Sequence, residues 1–146
     1  MRNFRELDIW KNSVAFTLDI YSLTDSFPKE EKYGLISQIR RCAVSIPSNI
    51  AEGCSGTNKS LINYLSIALG SSFELETQLI IANRLNLFSE KSKELFEKIA
   101  LLQKQINASQ KFNKTIKYQC PKAPMCQHAN TPTRQNANTL KKLTHD

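Results

Sequence analysis

Glycine is scarce in this chain, at four in 146 residues, and no Asn-Gly or Asp-Gly pair occurs. With no convincing period-two alternation either, the signals of hairpins and sheets are missing. No apolar run approaches the eighteen or so residues a membrane span needs. The first ten residues, MRNFRELDIW, lack the uninterrupted apolar stretch of a secretory leader. The chain is therefore expected in the cytoplasm with its four cysteines as reduced thiols, and no membrane partner is expected. Histidine is absent from residues 1–113, since His128 and His145 both lie beyond them. That excludes a di-iron carboxylate bundle, which needs Glu-x-x-His on two helices. It also leaves no Cys–His pair on the helices for nucleophilic work, and no Gly-x-x-x-x-Gly-Lys phosphate loop is present. Glu74 and Glu76 read as solvated or salt-bridged carboxylates. Cys120, Cys126 and His128 supply only three ligands, at a spacing unlike the common zinc patterns. No enzyme, cofactor or metal is expected.

What is present is positive charge, unevenly placed. The net charge is +7. Residues 1–113 hold 14 Lys and Arg against 12 Asp and Glu, whereas 114–146 hold six against Asp146 alone. The segment from Gln119 onward is rich in Asn, Thr, Gln and Pro and nearly free of large apolar side chains. It cannot bury enough surface to offset its ordering entropy. The expected organisation is a bundle over residues 1–112 and a disordered basic tail over 113–146.

Within the bundle the apolar period is helical throughout. Leu7, Trp10, Val14, Leu18 and Tyr21 recur at threes and fours over Glu6–Ser26, with a second stripe of Ile9, Phe16, Ile20, Leu23 and Phe27. Pro28 opens a second helix spanning roughly Glu31–Glu52, with Glu30 and Glu31 near its positive end. Its core face is Leu35, Ile39, Cys42/Ala43, Ile46 and Ile50, and Gly53 and Gly56 are expected to stop it. Thr57 caps a third helix over Asn58–Asn86, with the seam Leu61, Leu65, Ala68, Ser72, Leu75, Leu79, Ala82. Gly70-Ser71-Ser72 at its middle would admit a neighbouring backbone. Ser89 caps a fourth helix carrying Leu95, Ile99, Leu102 and Ile106 and ending near Phe112. These make an all-α, up-and-down antiparallel four-helix bundle. Helices one and three are apolar on two sides, and helix three adds Ile67, Ile81 and Leu85. A bundle helix needs one apolar arc, so the surplus is read as an oligomer interface in preference to a thicker core.

The stretch QIRRCAVSIPSNIAEG, residues 38–53, asks for more than packing. At 100° per residue Gln38, Arg41, Ser45, Ser48, Asn49 and Glu52 form one polar arc, flanked by Arg40, Val44, Pro47 and Ala51. Pro47 removes the hydrogen bond to the carbonyl of Ala43, a cost of about 3 kcal/mol in a helix interior. The arc is either a solvated face or a packed network joining Arg41, Asn49 and Glu52. Ser45, Asn49 and Glu52 are the expected structural network. Arg40, Arg41 and Lys59 are the candidates for binding nucleic acid or a partner, with a contact role for the lateral Arg40 and a structural one for Arg41.

FPKEEKYGLISQIRRCAVSIPSNIAEG followed by YLSIALGSSFELETQL resembles the bacterial four-helix-bundle family of ribosomal RNA intervening-sequence proteins, from about Phe4 to Ile106. The matching positions are Phe27-Pro28, Tyr33 to Leu35, Gln38, Arg41, Ser45-Ile46, Asn49 to Gly53, Ala68, Gly70-Ser71 and Glu74-Leu75. Cys42 stands where the family usually has alanine. The loop after NIAEG, commonly arginine-bearing, here reads CSGTNKS with Lys59 as its only base. The family is similar to the accessory variability determinant of diversity-generating retroelements, which binds nucleic acid and a reverse transcriptase. The resemblance implies an up-and-down bundle assembled as a homopentameric ring without known catalysis. A scaffold associated with RNA or DNA, or with a nucleic-acid-processing protein, is the expected function. The near-neutral bundle speaks for the alternative, a protein-binding adaptor without nucleic-acid affinity.

Overall fold

A computed structural model describes residues 2–88 and 92–119. Four α-helices, and no strand among the described residues, make up the bundle: α1 Asp8–Thr24, α2 Leu35–Cys54, α3 Asn58–Arg84 and α4 Ser92–Gln119. Consecutive helices pack antiparallel and α4 closes back on α1, while the diagonal pairs do not meet. The core is the set of stripes that the helical period marks. Ile20, Ile39, Ile46, Ile50, Leu65, Leu75, Leu79, Ile99 and Ile106 are fully buried. Each such side chain contributes about 1.5–3 kcal/mol over leaving it in water. On α1 the buried stripe is Phe16 and Ile20, continued by Phe27 beyond the helix, so Leu18 and Tyr21 are left outside.

The helix ends follow their local chemistry, with several departures from the sequence expectation. A 3-10 turn over Phe4–Glu6 precedes α1, which begins at Asp8. The segment Lys29–Tyr33 is also 3-10, so α2 starts only after Gly34. Glu31 nevertheless acts at the positive end, its Oε2 accepting from the Leu35 amide at 3.3 Å. Thr57 caps α3 by accepting from the Ser60 amide. At the far end Asn86 adopts φ 55°, and the amides of Asn86 and Leu87 donate to the carbonyls of Asn83 and Ala82. This Schellman pattern stops α3 at Arg84, two residues before the expected end.

The glycines act differently from the sequence reading. Gly53 does not stop α2, which runs on to Cys54. It is small because α3 lies against it: a Cβ there would sit 3.0 Å from Leu61 Cδ1 and Tyr64 Cβ. Gly70, expected at a close helix approach, has open space where its Cβ would be. The fourth helix continues past Phe112 to Gln119, because nothing from Asn113 to Gln119 breaks a helix. The first seven residues of the expected tail are thus helical. The rest of that tail, the helix cap assigned to Ser89, and the Cys120, Cys126 and His128 set lie outside the described residues.

Candidate binding face on the second helix

The candidate face is the outward side of α2, and Pro47 sets its local problem. Helix α2 is unbroken through Pro47, which is buried. The Ala43 carbonyl that Pro47 cannot serve accepts instead from the Thr17 hydroxyl of α1 at 3.0 Å. The same hydroxyl lies 2.8 Å from the Ser13 carbonyl and shares its one hydrogen between them. A neighbouring helix thus satisfies the acceptor that proline orphans, and the lesion becomes an α1–α2 tie. Nothing on α2 identifies Thr17 as the donor; its place on the flank of the α1 core stripe is the only sequence signal.

The two arginines meet different surroundings from those expected. Arg40 is structural. Its Nε donates to Thr24 Oγ1 at 2.8 Å, its Nη2 pairs with Asp25 at 2.6 Å, and its guanidinium stacks 4.6 Å from the Tyr21 ring centroid. The lateral position that suggested contact with a partner instead faces α1. Arg41 is exposed and makes no hydrogen bond or ion pair to a described side chain, so it does not join Asn49 and Glu52. It stands on the rim of an open groove with Tyr21, Ile36, Ser37, Val44 and Ser45.

The expected polar network divides in two. Asn49 Nδ2 donates to the Ser45 carbonyl at 2.8 Å and to Ser45 Oγ at 3.0 Å, and Ser45 Oγ meets Ser71 Oγ of α3 at 2.9 Å. Glu52 is not part of it. Its Oε1 accepts from the Tyr64 hydroxyl at 2.7 Å, a bond that holds the Tyr64 pKa above its ordinary value. Both links join α2 to α3, and their α3 members, Ser71 and Tyr64, are what reading α2 alone missed. Beside them, Gln78 Nε2 lies 3.5 Å from Cys42 Sγ and 3.3 Å from Glu74 Oε1. Burial, then the hydrogen bond that the thiol donates to the Glu74 carboxylate, pushes Cys42 up to about 11. That is the signature of an inert packing cysteine.

Lys59 is exposed but stands at the opposite end of the bundle. Thirteen residues of α2 separate Arg41 from Cys54, which is about 20 Å along the axis. The three binding candidates therefore form no single surface. The molecule's larger uncovered features are apolar. On α3, Ile81 is 46% exposed and Leu85 57%, with Ile67 four turns before on the same stripe, while Phe73 and Ile80 are exposed on a different side of the helix. On α1, diagonal to α3, Leu18 is 64% exposed. Among the described residues no cluster of His, Cys, Asp and Glu has the makings of a metal site, and no helix is long and apolar enough to cross a membrane.

Comparison with known proteins agrees with this geometry. A family model described as 23S rRNA-intervening sequence protein matches residues 5–108. A crystal structure of a protein of unknown function, from the S23 ribosomal protein family of Bacteroides thetaiotaomicron, superposes with a TM-score of 0.66 at 24% identity. The match covers 70% of this chain and 95% of that one, and it establishes the shared fold. No curated protein matches the chain.

Proposed function

The chain belongs to the 23S rRNA-intervening sequence protein family, and from that premise we propose that it is a non-enzymatic, homo-oligomeric scaffold of the cytoplasm. It assembles as a pentameric ring and associates with nucleic acid, with a nucleic-acid-handling protein, or with both. The observation that carries this reading is the uncovered apolar surface on diagonal corners of the bundle. The α3 stripe of Ile67, Ile81 and Leu85 faces away from the α1 side that bears Leu18. Two different patches on opposite sides suit a head-to-tail contact, which closes into a ring when the rotation per subunit divides a full turn. A self-matching dimer needs only one patch.

Assembly is tested by light scattering or sedimentation at micromolar concentration. The expected mass is five times the 16.6 kDa chain. Ile81→Glu places an unpaired charge in the contact, and the ring should dissociate while the helical signal persists. A wild-type protein that stays monomeric overturns the reading. The adaptor reading is favoured by the small charge excess of residues 1–113. Recovery of the ring from its native cell with a protein and no nucleic acid would select it.

A further inference from the structure

Helix α3 is apolar on two outward sides, and only one of them enters the ring contact proposed above. Ile67, Ile81 and Leu85 form that side. Ile62, Leu69, Phe73 and Ile80 form the other, in steps of seven and four, about 120° round the helix. Phe73 is 49% exposed and Ile80 39%. Side-chain bonds place this second stripe beside α4. Gln110 Nε2 donates to the Ile62 carbonyl and to Ser66 Oγ, and Gln103 Nε2 donates to Glu76 Oε2. Phe73 and Ile80 lie between the meridians of Ser66 and Glu76, so they line the outer groove between α3 and α4. On α4, Lys114 lies about 20° from Gln103, and Lys104 and Lys111 stand on the outward arc that adjoins it. Because the two helices run antiparallel, Lys104 comes level with Phe73 and Lys111 with Ser66. Lys59 and Arg84 stand at the two ends of the stripe on the α3 flank. These five bases are exposed, and Glu97 is the exposed carboxylate on this side among the described residues. Lys59, Lys104, Lys111 and Lys114 form no ion pair among the described residues.

We propose that this groove binds an acidic amphipathic helix of a partner protein, whose apolar stripe covers Leu69, Phe73 and Ile80 while its carboxylates meet the lysines of α4. The site belongs to the protein partner of the scaffold proposed above, and it rests on that reading in leaving Ile67, Ile81 and Leu85 to the contact between copies. An apolar seam that repeats by seven and four, flanked by charge of one sign, is half of a helix–helix contact. The missing half carries the opposite sign. Nucleic acid would meet the lysines but leave Leu69 and Ile80 in water, since aliphatic side chains offer a base no ring to stack on. This chain does not supply the occupant itself. Residues 120–146 carry Lys122, Arg134, Lys141 and Lys142 against Asp146, and Leu18 of a second copy shares its stripe with Lys11. The groove therefore suits a different, acidic protein.

The probes are two synthetic helices of about 21 residues, three heptads with Leu at a and d. One carries Glu at every e and g position and the other Lys, so that like charges keep each from pairing with itself. Each is labelled and titrated by fluorescence anisotropy against the full chain in its assembled state. The Glu helix is expected to bind at least about tenfold tighter than the Lys helix. Phe73→Ser with Ile80→Ser should weaken the Glu helix by about tenfold or more while the protein keeps its helical signal. Lys104→Glu with Lys111→Glu should reverse the preference, so that the Lys helix binds tighter. The same reversal elsewhere, Arg5→Glu with Lys29→Glu, should leave both affinities within about twofold. Equal affinity for the two helices, or equal effects of the two charge reversals, overturns the assignment. So does tighter binding of poly(dT) or duplex DNA that is lost with Phe73→Ser and Ile80→Ser, which would make the groove a nucleic-acid surface. Dissociation of the ring by those two substitutions, seen by light scattering, also overturns it by making the stripe a contact between copies. An intact ring that binds neither helix sinks this site alone, whereas a wild-type monomer that binds the Glu helix sinks the ring and keeps the site.

Discussion

Thr17 and Pro47 form a pair that neither residue announces by itself. The helix interior loses a donor at Pro47, and α1 supplies one at 3.0 Å from the stranded Ala43 carbonyl. Thr17→Val keeps the shape and removes the hydroxyl, and it should cost about 1–2 kcal/mol in chemical denaturation. In a Pro47→Ala background the chain's own amide serves the carbonyl, so the same change should cost under about 0.5 kcal/mol. Equal costs in the two backgrounds would show that the hydroxyl is not meeting that acceptor. Cys42 carries a second residue-scale expectation. Burial raises its thiol from 9.0 to about 11, so the folded chain holds this proton to higher pH than the unfolded chain does. The resulting stabilisation is full below pH 9 and lost as pH rises toward 11. Relative to Cys42→Ala, wild-type stability should fall by about 2 kcal/mol across that window. Parallel curves for the two proteins would contradict it. Arg40 and Arg41 mark the limit of reading single residues. Angular position on α2 shows that they point differently, but only the packed α1, with Tyr21, Thr24 and Asp25, decides which one is held.

Between elements, α2 and α3 share the most specific contact. Ser45, braced by Asn49, meets Ser71, Glu52 meets Tyr64, and Gly53 lets the α3 backbone come close. Two glycine substitutions should move stability in opposite directions. Gly53→Ala puts a methyl group 3.0 Å from Tyr64 Cβ and 3.2 Å from Leu61 Cα, atoms fixed to the α3 backbone that cannot swing aside. Overpacking there should outweigh the gain in helix propensity and destabilise by about 1–3 kcal/mol. Gly70→Ala meets nothing within 4 Å, so it should stabilise the subunit by up to about 1 kcal/mol. Thermal melts of the two variants check both signs. If Gly70→Ala also weakens assembly in sedimentation, Gly70 lies where another copy packs.

At the scale of the whole molecule, the core of the described residues can be followed along α4 as far as Gln110. Gln110 is the last buried residue of α4 among the described residues, its amide donating to the Ile62 carbonyl on α3. A chain shortened to residues 1–119 should keep its melting temperature within about 2 °C. Shortening to Phe112 should lose helical signal in proportion to the missing turns, with little further change in melting temperature, because Lys114 and Thr115 are exposed. A drop of several degrees on removing 120–146 would mean that this segment packs on the bundle. The same scale governs the electrostatics. Residues 2–15, 46–70 and 105–119, which build one end of the bundle, hold three Asp and Glu against seven Lys and Arg, whereas residues 17–45, 72–88 and 92–103 hold eight against seven, so the two ends differ in carboxylates and not in bases.

The fold class, the number of helices and the seam of α3 from Leu61 to Ala82 were all set by the sequence, because a 3.6-residue apolar period is a property of the chain alone. The cap at Thr57 was legible for the same reason, since its bond is local. What the sequence could not set was any relation between residues far apart in it. Which of two adjacent arginines is tied down, which glycine sits under another helix, where Glu52 finds its donor and who answers Pro47 all depend on side chains from another helix. Periodicity fixes which face of a helix is buried, but only the packed bundle fixes what each face meets.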